Sequence, residues 1–584
     1  MTQEQLSQQR HSLAHLLAAA VLSIWPDAKR TIGPAIDNGF YYDFEFASPI
    51  TEADLPKIEK RMKKLLTTWK SFDRHELSAS EVKKEFSDNP YKLELIEEFS
   101  GEGQTLTVYQ SGDFRDLCRG GHTENFNKID PESFCLHKLA GAYWRGDEKN
   151  KMLTRIYGLA FESKDELADY LKMLSEAEKR DHKKLGPALE LFAFSPLVGP
   201  GLPMFLPKGA LLLRELAEFV RAEKINRGYN FVSIPHIAKA ELYKKSGHLG
   251  KYDAMMPLMK DAEGDEFALK AMNCPHHFEL FNATPHSYRD LPIRYAENTT
   301  VYRNEKSGEL SGLLRVKALT QDDTHHFVRH DQINSEITMI LGLMDTVYKA
   351  FGFTNFLVQI SVRDQENKSK YFGSDELWEK SENILIQAAK DWGKPYIVEK
   401  GEAAFYGPKI DIMVKDAIGR SWQLTTVQLD FNQPENFDLH YIAEDGQKHR
   451  PAVLHVAILG SLERFLGVLI EHYTGAFPLW LSPVQIKILN VGEAHEKFCQ
   501  NLAAQFKAQN IRVELDLTSE TVGKKIRKSS AEKIPYTLVI GDKEMNSKNL
   551  SVRVRGFEEL WEVDSKEFIT QIQQLIAKRS AELK

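Results

Sequence analysis

The sequence predicts an α+β protein of several domains, and three observations carry that expectation. At 584 residues the chain exceeds what one hydrophobic core supports, and about 150 residues per domain gives roughly three or four. A long amphipathic helix (GALLLRELAEFVRAEKINRGY, 209–229) leads into strand-like runs at 231–236, 293–303, 312–328, 355–362 and 421–431, which predict a large, mainly antiparallel sheet. After Pro483 the rhythm becomes strand, helix, strand, helix, strand (VQIKILNV, HEKFCQNLAAQFKAQ, IRVELDL, VGKKIRKSSAEK, YTLVIG), the pattern of a small α/β domain with a largely parallel sheet.

Ahead of these segments, residues 11–25 have helical spacing, and TIGPAIDNGFYYDFEF (31–46) reads as a turn-punctuated pair of strands. Helices are expected at 53–70 and 164–182. The second ends in SEAEKRDHKKLG, a charged stretch stopping at Gly186-Pro187 and the expected linker. The resulting division is 1–180, 184–478 and 482–584.

Composition excludes several classes. With 42% hydrophobic, 27% charged and 10% aromatic residues the chain is ordinary globular protein. Its 83 acidic and 76 basic residues give a net charge of −7, so a nucleic-acid partner must be met by local patches such as KKIRKSSAEK, which contains Arg527. The four cysteines, Cys118, Cys135, Cys274 and Cys499, are far apart and form no CxxC pair, which points to a reducing, cytoplasmic setting. The apolar stretch Leu13–Ile24 is interrupted by His15 and Ser23, and no later stretch reaches 18 apolar residues, so neither a signal peptide nor a membrane span is expected.

Three constellations carry chemistry. His11-Ser-Leu-Ala-His15 places two imidazoles on one helix face, and Asp116-Leu-Cys118-Arg-Gly-Gly-His122 adds a thiol, a third imidazole and two glycines that let backbone approach a substrate. Neutral imidazoles and a thiol either bind zinc or position a hydrolytic water. Tyr302-Arg303-Asn304-Glu305 ends a strand, and after a loop with Ser307, Gly308 and Gly312, Arg315 begins the next run, so two guanidinium forks flank one hairpin. A third arginine lies in Gly460-Ser461-Leu462-Glu463-Arg464-Phe465, where a strand gives way to an apolar helix. With no GxxxxGK[ST] nearby, arginines and a sheet surface would have to hold any nucleotide.

These segments, with LKAMNCP (269–275), TQDDTH (320–325), FYGPK (405–409) and VQLDF (427–431), resemble the class II aminoacyl-tRNA synthetases over essentially the whole chain, and within them the bacterial threonyl-tRNA synthetases. The long helix and the strand with Pro235 look like motif 1, the dimer element; 302–315 looks like motif 2 and 460–465 like motif 3. The resemblance implies a class II antiparallel sheet with helices as catalytic core, an N-terminal α+β editing domain and a C-terminal α/β anticodon-binding domain. It implies a cytoplasmic homodimer that activates L-threonine with ATP and Mg2+, transfers it to tRNA(Thr), and hydrolyses mischarged seryl-tRNA at a second site.

By the same resemblance Arg303 meets the α-phosphate of ATP, Arg315 and Arg464 meet the β- and γ-phosphates, and Cys274, His325 and His455 hold a zinc ion. Met272, Gln321, Asp323, Tyr406, Gln428 and Ser461 would surround the amino acid. Glu305, Lys409, Gln423 and Thr426 would lie nearer ATP or the tRNA end, with His248 at the terminal ribose. His11, His15, Lys92, Asp116, Cys118 and His122 match the editing motif, which in this family needs no obligatory metal although related editing domains bind zinc here, so the metal content of this site stays open. Glu544, Arg553 and Arg527 fall on the anticodon-reading surface. One physical check applies: if His325 and His326 share a strand, only one can point into the site.

Zinc with open positions would bind the amine and hydroxyl of threonine, which valine cannot offer and serine can. Serine lacks only a methyl, worth about 1–3 kcal/mol, hence the need for editing. Two departures from the family stand out. Only ten residues precede His11, where most members carry a small ubiquitin-like domain, so charging and editing are expected to survive with altered tRNA affinity. His276 replaces the glycine usual after Cys-Pro and is expected either to crowd the zinc site or to contact a ligand from behind.

Overall fold

The computed structural model describes every residue except 148, 355 and 416–419, so the first position of the 355–362 run lies outside the described residues. The chain divides into two compact units, Met1–Glu176 and Ala177–Lys584.

The first unit is built on helix Gln3–Ile24. It starts earlier than its apolar spacing suggests because Thr2 and Gln5 close a capping box. From Leu13 to Val21 its side chains are buried on every side, and strand Gly39–Glu45 turns Phe40, Tyr42 and Phe44, alternate residues on one face, into the same core. Asp37 and Asn38 form the two-residue turn that pairs this strand with Ala35–Ile36, the hairpin legible in the sequence. Helix Leu55–Leu66 is shorter than 53–70, being preceded by a 3-10 turn at Glu52–Asp54. A separate antiparallel sheet of Asp73–Glu76, Thr107–Ser111 and Phe114–Leu117 carries Asp116 and leads into the Cys118–His122 loop.

The linker departs from expectation. Helix Lys164–Arg180 ends early, Asp181 caps a new helix, His182–Ala188, and Pro187 sits inside it rather than after it. His182, inside the charged stretch read as the linker, is fully buried.

The second unit contains an eight-stranded sheet in the order Asn230–Phe231, Ile293–Tyr302, Ala318–Val328, Ala452–Ser461, Ser421–Asp430, Lys409–Lys415, Phe356–Val362, Tyr396–Lys400. Only the two outermost pairings are parallel. Register aligns His325 with His455, His455 with Gln428 and Gln428 with Lys409. Residues far apart in sequence thus form one cross-strand row on one face. On the other face helices Pro207–Ile225, Ile333–Ala350 and Leu462–Tyr473 contribute to a large aliphatic core. Strand Ala318–Val328 starts six residues later than its run suggests; residues 312–317 form a loop instead, held by the Ser311 N–H donating to the Arg315 carbonyl at 3.2 Å.

The C-terminal sheet runs Val513–Asp516, Ile486–Asn490, Tyr536–Ile540, Asn549–Val554, Trp561–Asp564. The strand–helix alternation makes its first three strands parallel. The last two are antiparallel, so the sheet is mixed rather than largely parallel. The connections from Ile540 to Asn549 and from Val554 to Trp561 are too short for a crossover. Among the described residues no helix is long and apolar enough to cross a membrane.

Candidate active sites

A cavity of about 540 Å³ opens on the polar face of the eight-stranded sheet. Every residue assigned from sequence to amino acid, ATP or metal lines it, except His248. Strand alternation accounts for much of this: Gln321, Asp323 and His325 line the cavity, whereas Asp322 and Thr324 bind Lys224 and His326 lies 3.0 Å from Glu336, on the helical side. His325, not His326, faces the site.

At one end, Cys274, His325 and His455 are buried and each offers a ligand atom within 4.8 Å of the others. His325 Nε2 and His455 Nδ1 are 3.0 Å apart. Asp430 Oδ2 lies 3.0 Å from His455 Nε2, and a carboxylate only accepts, so His455 carries its proton on Nε2 and turns a lone pair inward. Behind His325, its Nδ1 is 2.8 Å from His277 Nδ1, and His277 Nε2 is 3.7 Å from Glu297. The Glu297 carboxylate, too distant for a hydrogen bond, favours the His277 proton on Nε2 by its charge, and with that tautomer His325 donates outward from Nδ1. Burial holds His325 neutral, and burial beside Asp323 and Asp430 pushes the Cys274 thiol up. His276 lies beside Tyr243, with ring centroids 6.2 Å apart, and lines no part of the cavity; its neighbour His277 makes the contact behind the ligand.

At the other end three guanidiniums converge. Arg464 Nε donates to the Leu314 carbonyl at 2.8 Å, and Arg315 pairs with Glu305 at 2.8 Å and Glu309 at 2.7 Å. Arg303 Nε is buried and has no hydrogen-bond partner among the described residues. Burial, then repulsion from Arg303 and Arg315, lowers the Arg464 pKa against the pull of Glu305. Between the ends, Asp411 Oδ1 accepts from Gln423 at 2.6 Å and Thr426 at 2.8 Å, and its Oδ2 accepts from Lys409 at 2.5 Å. Asp323 accepts from Asn273 at 2.9 Å. Glu463 accepts from the Thr320 N–H at 2.8 Å and from Ser461 Oγ at 2.8 Å, tying two strand ends together. His248 is buried, its Nδ1 2.7 Å from Ser246 Oγ and its ring 6.2 Å from Tyr406, a layer behind the lining; burial, then His455 and Arg303, holds it down to about 4.

In the first unit His11, His15, Cys118 and His122 converge, each offering a ligand atom within 4.8 Å of the others. Gly120 and Gly121, at φ 102° and 82°, turn the loop back so that Cys118 and His122 meet the helix. A side chain at Gly120 would also collide with the Tyr109 hydroxyl, 2.5 Å from where its Cβ would stand. His11 Nε2 is 3.5 Å from Cys118 Sγ and its Nδ1 is 3.3 Å from the Gly121 carbonyl. Buried Asp116 collects Lys92 at 2.8 Å, Arg30 at 3.1 Å, His15 at 3.2 Å and the Tyr42 hydroxyl. Burial opposes charge on both partners, yet Cys118 and Asp116 raise His15 to about 9, and His15, His11 and His122 bring Cys118 down to about 3. Burial holds His122 at about 4.

The anticodon candidates stand on three elements: Arg527 exposed on helix Val522–Ala531, Glu544 half-buried in Asp542–Met545, and Arg553 exposed on Asn549–Val554. Among the described residues no hydrogen bond or ion pair joins them. Arg555 turns inward, donating to the Phe477 carbonyl at 2.6 Å.

Sequence reasoning weighed His277 only as a rival zinc ligand, beside His276 and His326, and gave no role to Asp430, Asp411 or Glu463. Signals existed for three of them: Asp430 and Asp411 are two residues from Gln428 and Lys409 on their strands, and His277 is three from Cys274 on a helix, spacings that share a face.

Family models match three segments: the tRNA synthetase class II core domain (G, H, P, S and T) at 258–473, an anticodon binding domain at 485–575, and the threonyl and alanyl tRNA synthetase second additional domain at 106–157. The threonine–tRNA ligase of Porphyromonas gingivalis is 50% identical over 552 residues, 94% of this chain and 84% of its own length. That of Gloeobacter violaceus is 46% identical over 99% of this chain and 93% of its own. Among solved structures, the RNA binding domain of threonyl-tRNA synthetase from Cryptosporidium parvum aligns with TM-score 0.64 and 36% identity, covering 68% of this chain and 98% of that one. A putative threonyl-tRNA synthetase from Aeropyrum pernix aligns with TM-score 0.59 and 30% identity, covering 70% and 97%.

Proposed function

Because the chain belongs to the threonyl-tRNA synthetases, ATP- and Mg2+-dependent class II ligases, we propose that the cavity of the second unit forms threonyl-adenylate and that the Cys118 cluster clears serine from tRNA(Thr). Ligation is assigned to 184–478, editing to 1–180 and anticodon recognition to 482–584, the last through Glu544, Arg553 and Arg527.

The observation that carries the ligase assignment is the arginine trio. Three cations share one wall, burial and then repulsion from the other two destabilise Arg464, and since Glu305 and Glu309 both pair with Arg315, a triphosphate would supply the negative charge that Arg303 and Arg464 lack. As the threonine carboxylate attacks the α-phosphate and pyrophosphate leaves, charge builds on phosphate oxygens, and preorganised guanidiniums stabilise it without reorganising. The Asp411 hub fixes Lys409, Gln423 and Thr426 beside them.

The other end fits zinc. Two inward lone pairs only 3.0 Å apart repel each other unless a cation lies between them, and the adjoining thiol has two carboxylates near it. Cys274, His325 and His455 would hold the ion, which would act as a Lewis acid for the substrate hydroxyl and amine. Asp323, steadied by Asn273, would accept a hydrogen bond from that amine, held neutral so that its lone pair meets the ion, with Met272, Gln321, Tyr406, Gln428 and Ser461 around it. Glu305 and, a layer deeper, His248 are left for contacts with the tRNA end.

In the first unit neutral His122 would take a proton from water attacking the seryl ester, and the His15 imidazolium would face the oxyanion that forms. Four free thiols support a cytoplasmic setting. Exposed Phe194, Leu197, Val198 and Met204 support a homodimer that covers them; sedimentation at the mass of one chain would remove that reading.

Charging with threonine, serine and valine, side by side, tests the whole scheme. Threonine should be attached by both the parent and Cys118→Ala, valine by neither, and seryl-tRNA should accumulate only with Cys118→Ala, whose deacylation falls about 10²- to 10³-fold. Absence of threonine-dependent pyrophosphate exchange would end the ligase assignment.

A further inference from the structure

The charged linker segment contains a buried group that the scheme above leaves unused. His182 is fully buried and Glu471 is nearly so. His182 Nδ1 is 2.7 Å from Glu471 Oε1, and its Nε2 is 3.0 Å from the backbone nitrogen of Leu313. A backbone N–H can only donate, so Nε2 accepts, the ring proton sits on Nδ1, and Glu471 accepts it. Burial keeps the imidazole neutral, down to about 4, in agreement with that tautomer. Asp181, His182 and Glu471 have the composition and spacing of a metal cluster, but both His182 ring nitrogens are already engaged and Arg420 meets the second oxygen of Glu471.

Leu313 belongs to the loop that replaces the expected start of strand Ala318–Val328. In that loop the Leu314 carbonyl accepts from Arg464 Nε at 2.8 Å, the Leu314 N–H donates to Ser311 at 2.9 Å, and Ser311 in turn donates to Arg315. The loop presses onto helix Leu462–Tyr473 at Gly467, where a Cβ would stand 3.0 Å from Leu314 and 3.3 Å from Leu313. One end of the His182 ring therefore grips the helix that carries Arg464, and the other grips the loop that carries Arg315. We propose that His182 is a positioning residue for ATP, a neutral bridge from Glu471 to the Leu313 N–H that sets Arg315 and Arg464 in register for the phosphates. The inference rests on the ligase reading of the same cavity.

Asparagine and glutamine separate the bridge from mere packing. Asparagine at 182 places an amide near the imidazole Nδ1 and keeps the bond to Glu471, but withdraws the acceptor from Leu313. Glutamine, one methylene longer, restores it. In threonine-dependent pyrophosphate exchange by the full chain with zinc and magnesium, His182→Asn should raise the KM for ATP about tenfold, the weight of one buried hydrogen bond. His182→Gln should bring it back to within about threefold. The KM for threonine, zinc content and clearance of seryl-tRNA should not change. Equal ATP KM values in the two variants, or a parallel rise in the KM for threonine, would overturn the bridge. So would loss of the fold in both, seen as lost zinc and lost seryl-tRNA clearance, which would make His182 purely structural. If the parent protein itself shows no threonine-dependent exchange, the ligase reading fails instead.

Discussion

Two cysteine–histidine clusters, one in each unit, are built from the same side chains and solve opposite electrostatic problems. Around Cys118 the charges are internal: the His15 imidazolium offsets the thiolate, and Asp116 is met by Lys92 and Arg30. Around Cys274 the fixed charges are carboxylates, the thiol is pushed up, and His325 is kept neutral. Both groups have the ligands for a metal ion; we propose that the first balances its own charge as an ion pair, whereas the second presents donors and lone pairs that call for a cation. Ligand identity does not separate the two clusters, and in each a ring nitrogen is held from behind by a carboxylate, His15 by Asp116 and His455 by Asp430; what differs is the balance of charge around the thiol.

Metal removal is the strongest way to break that comparison. Dialysis against a chelator should abolish threonine-dependent pyrophosphate exchange by at least about 10²-fold, since a Lewis acid at a substrate oxygen is worth several kcal/mol. Hydrolysis of preformed seryl-tRNA(Thr) by the same sample should stay within about twofold. If both activities fall together and both return with zinc, the Cys118 cluster is also metal-loaded and its ion pair is not self-sufficient.

The unequal legibility of the two sites has a physical origin. The His11–His15 pair and the Cys118–His122 loop are local motifs, so helix periodicity and paired glycines reveal them in sequence. The row His325, His455, Gln428, Lys409 depends on strand register across more than a hundred residues, which periodicity does not supply; only resemblance to a family pointed to it. His326 shows what elementary geometry does contribute, because strand alternation allowed one of the two neighbouring histidines and the structure selects His325. The loop at 312–317 was illegible because Leu313, Leu314 and Val316 continue the apolar rhythm of the strand after them, and the same packing gives the loop its hold on the helix. His182 was hidden by its neighbours: six charged residues within five positions made a solvated turn the natural expectation, and burial by Glu471 from 289 residues away leaves no local trace.

Thiol reactivity is the finer test of the same contrast, and its signature lies in slope rather than speed. Cys118 has its pKa depressed from 9.0 to about 3, so its ionised form contributes to stability above the unfolded-state pKa and that contribution is lost as pH falls through about 3. His15 is raised from 6.5 to about 9, so its contribution is complete below the unfolded value and is lost as pH rises through about 9. Between those limits the ion pair persists and Cys118 is already a thiolate. A thiolate of such low basicity is a weaker nucleophile, with a Brønsted slope of about 0.4–0.5, which offsets much of the gain from full ionisation. Iodoacetamide should therefore modify Cys118 at a rate that is nearly flat from about pH 5 to pH 8, where an ordinary thiol loses about tenfold per unit. Cys135 and Cys499, pushed up to about 11 by burial, should lag throughout. Cys274 should resist with zinc bound and, being buried with a raised pKa, after its removal as well. A tenfold-per-unit slope for Cys118 would mean that the thiol is protonated at neutral pH, and the contrast between the two clusters would reduce to one of exposure.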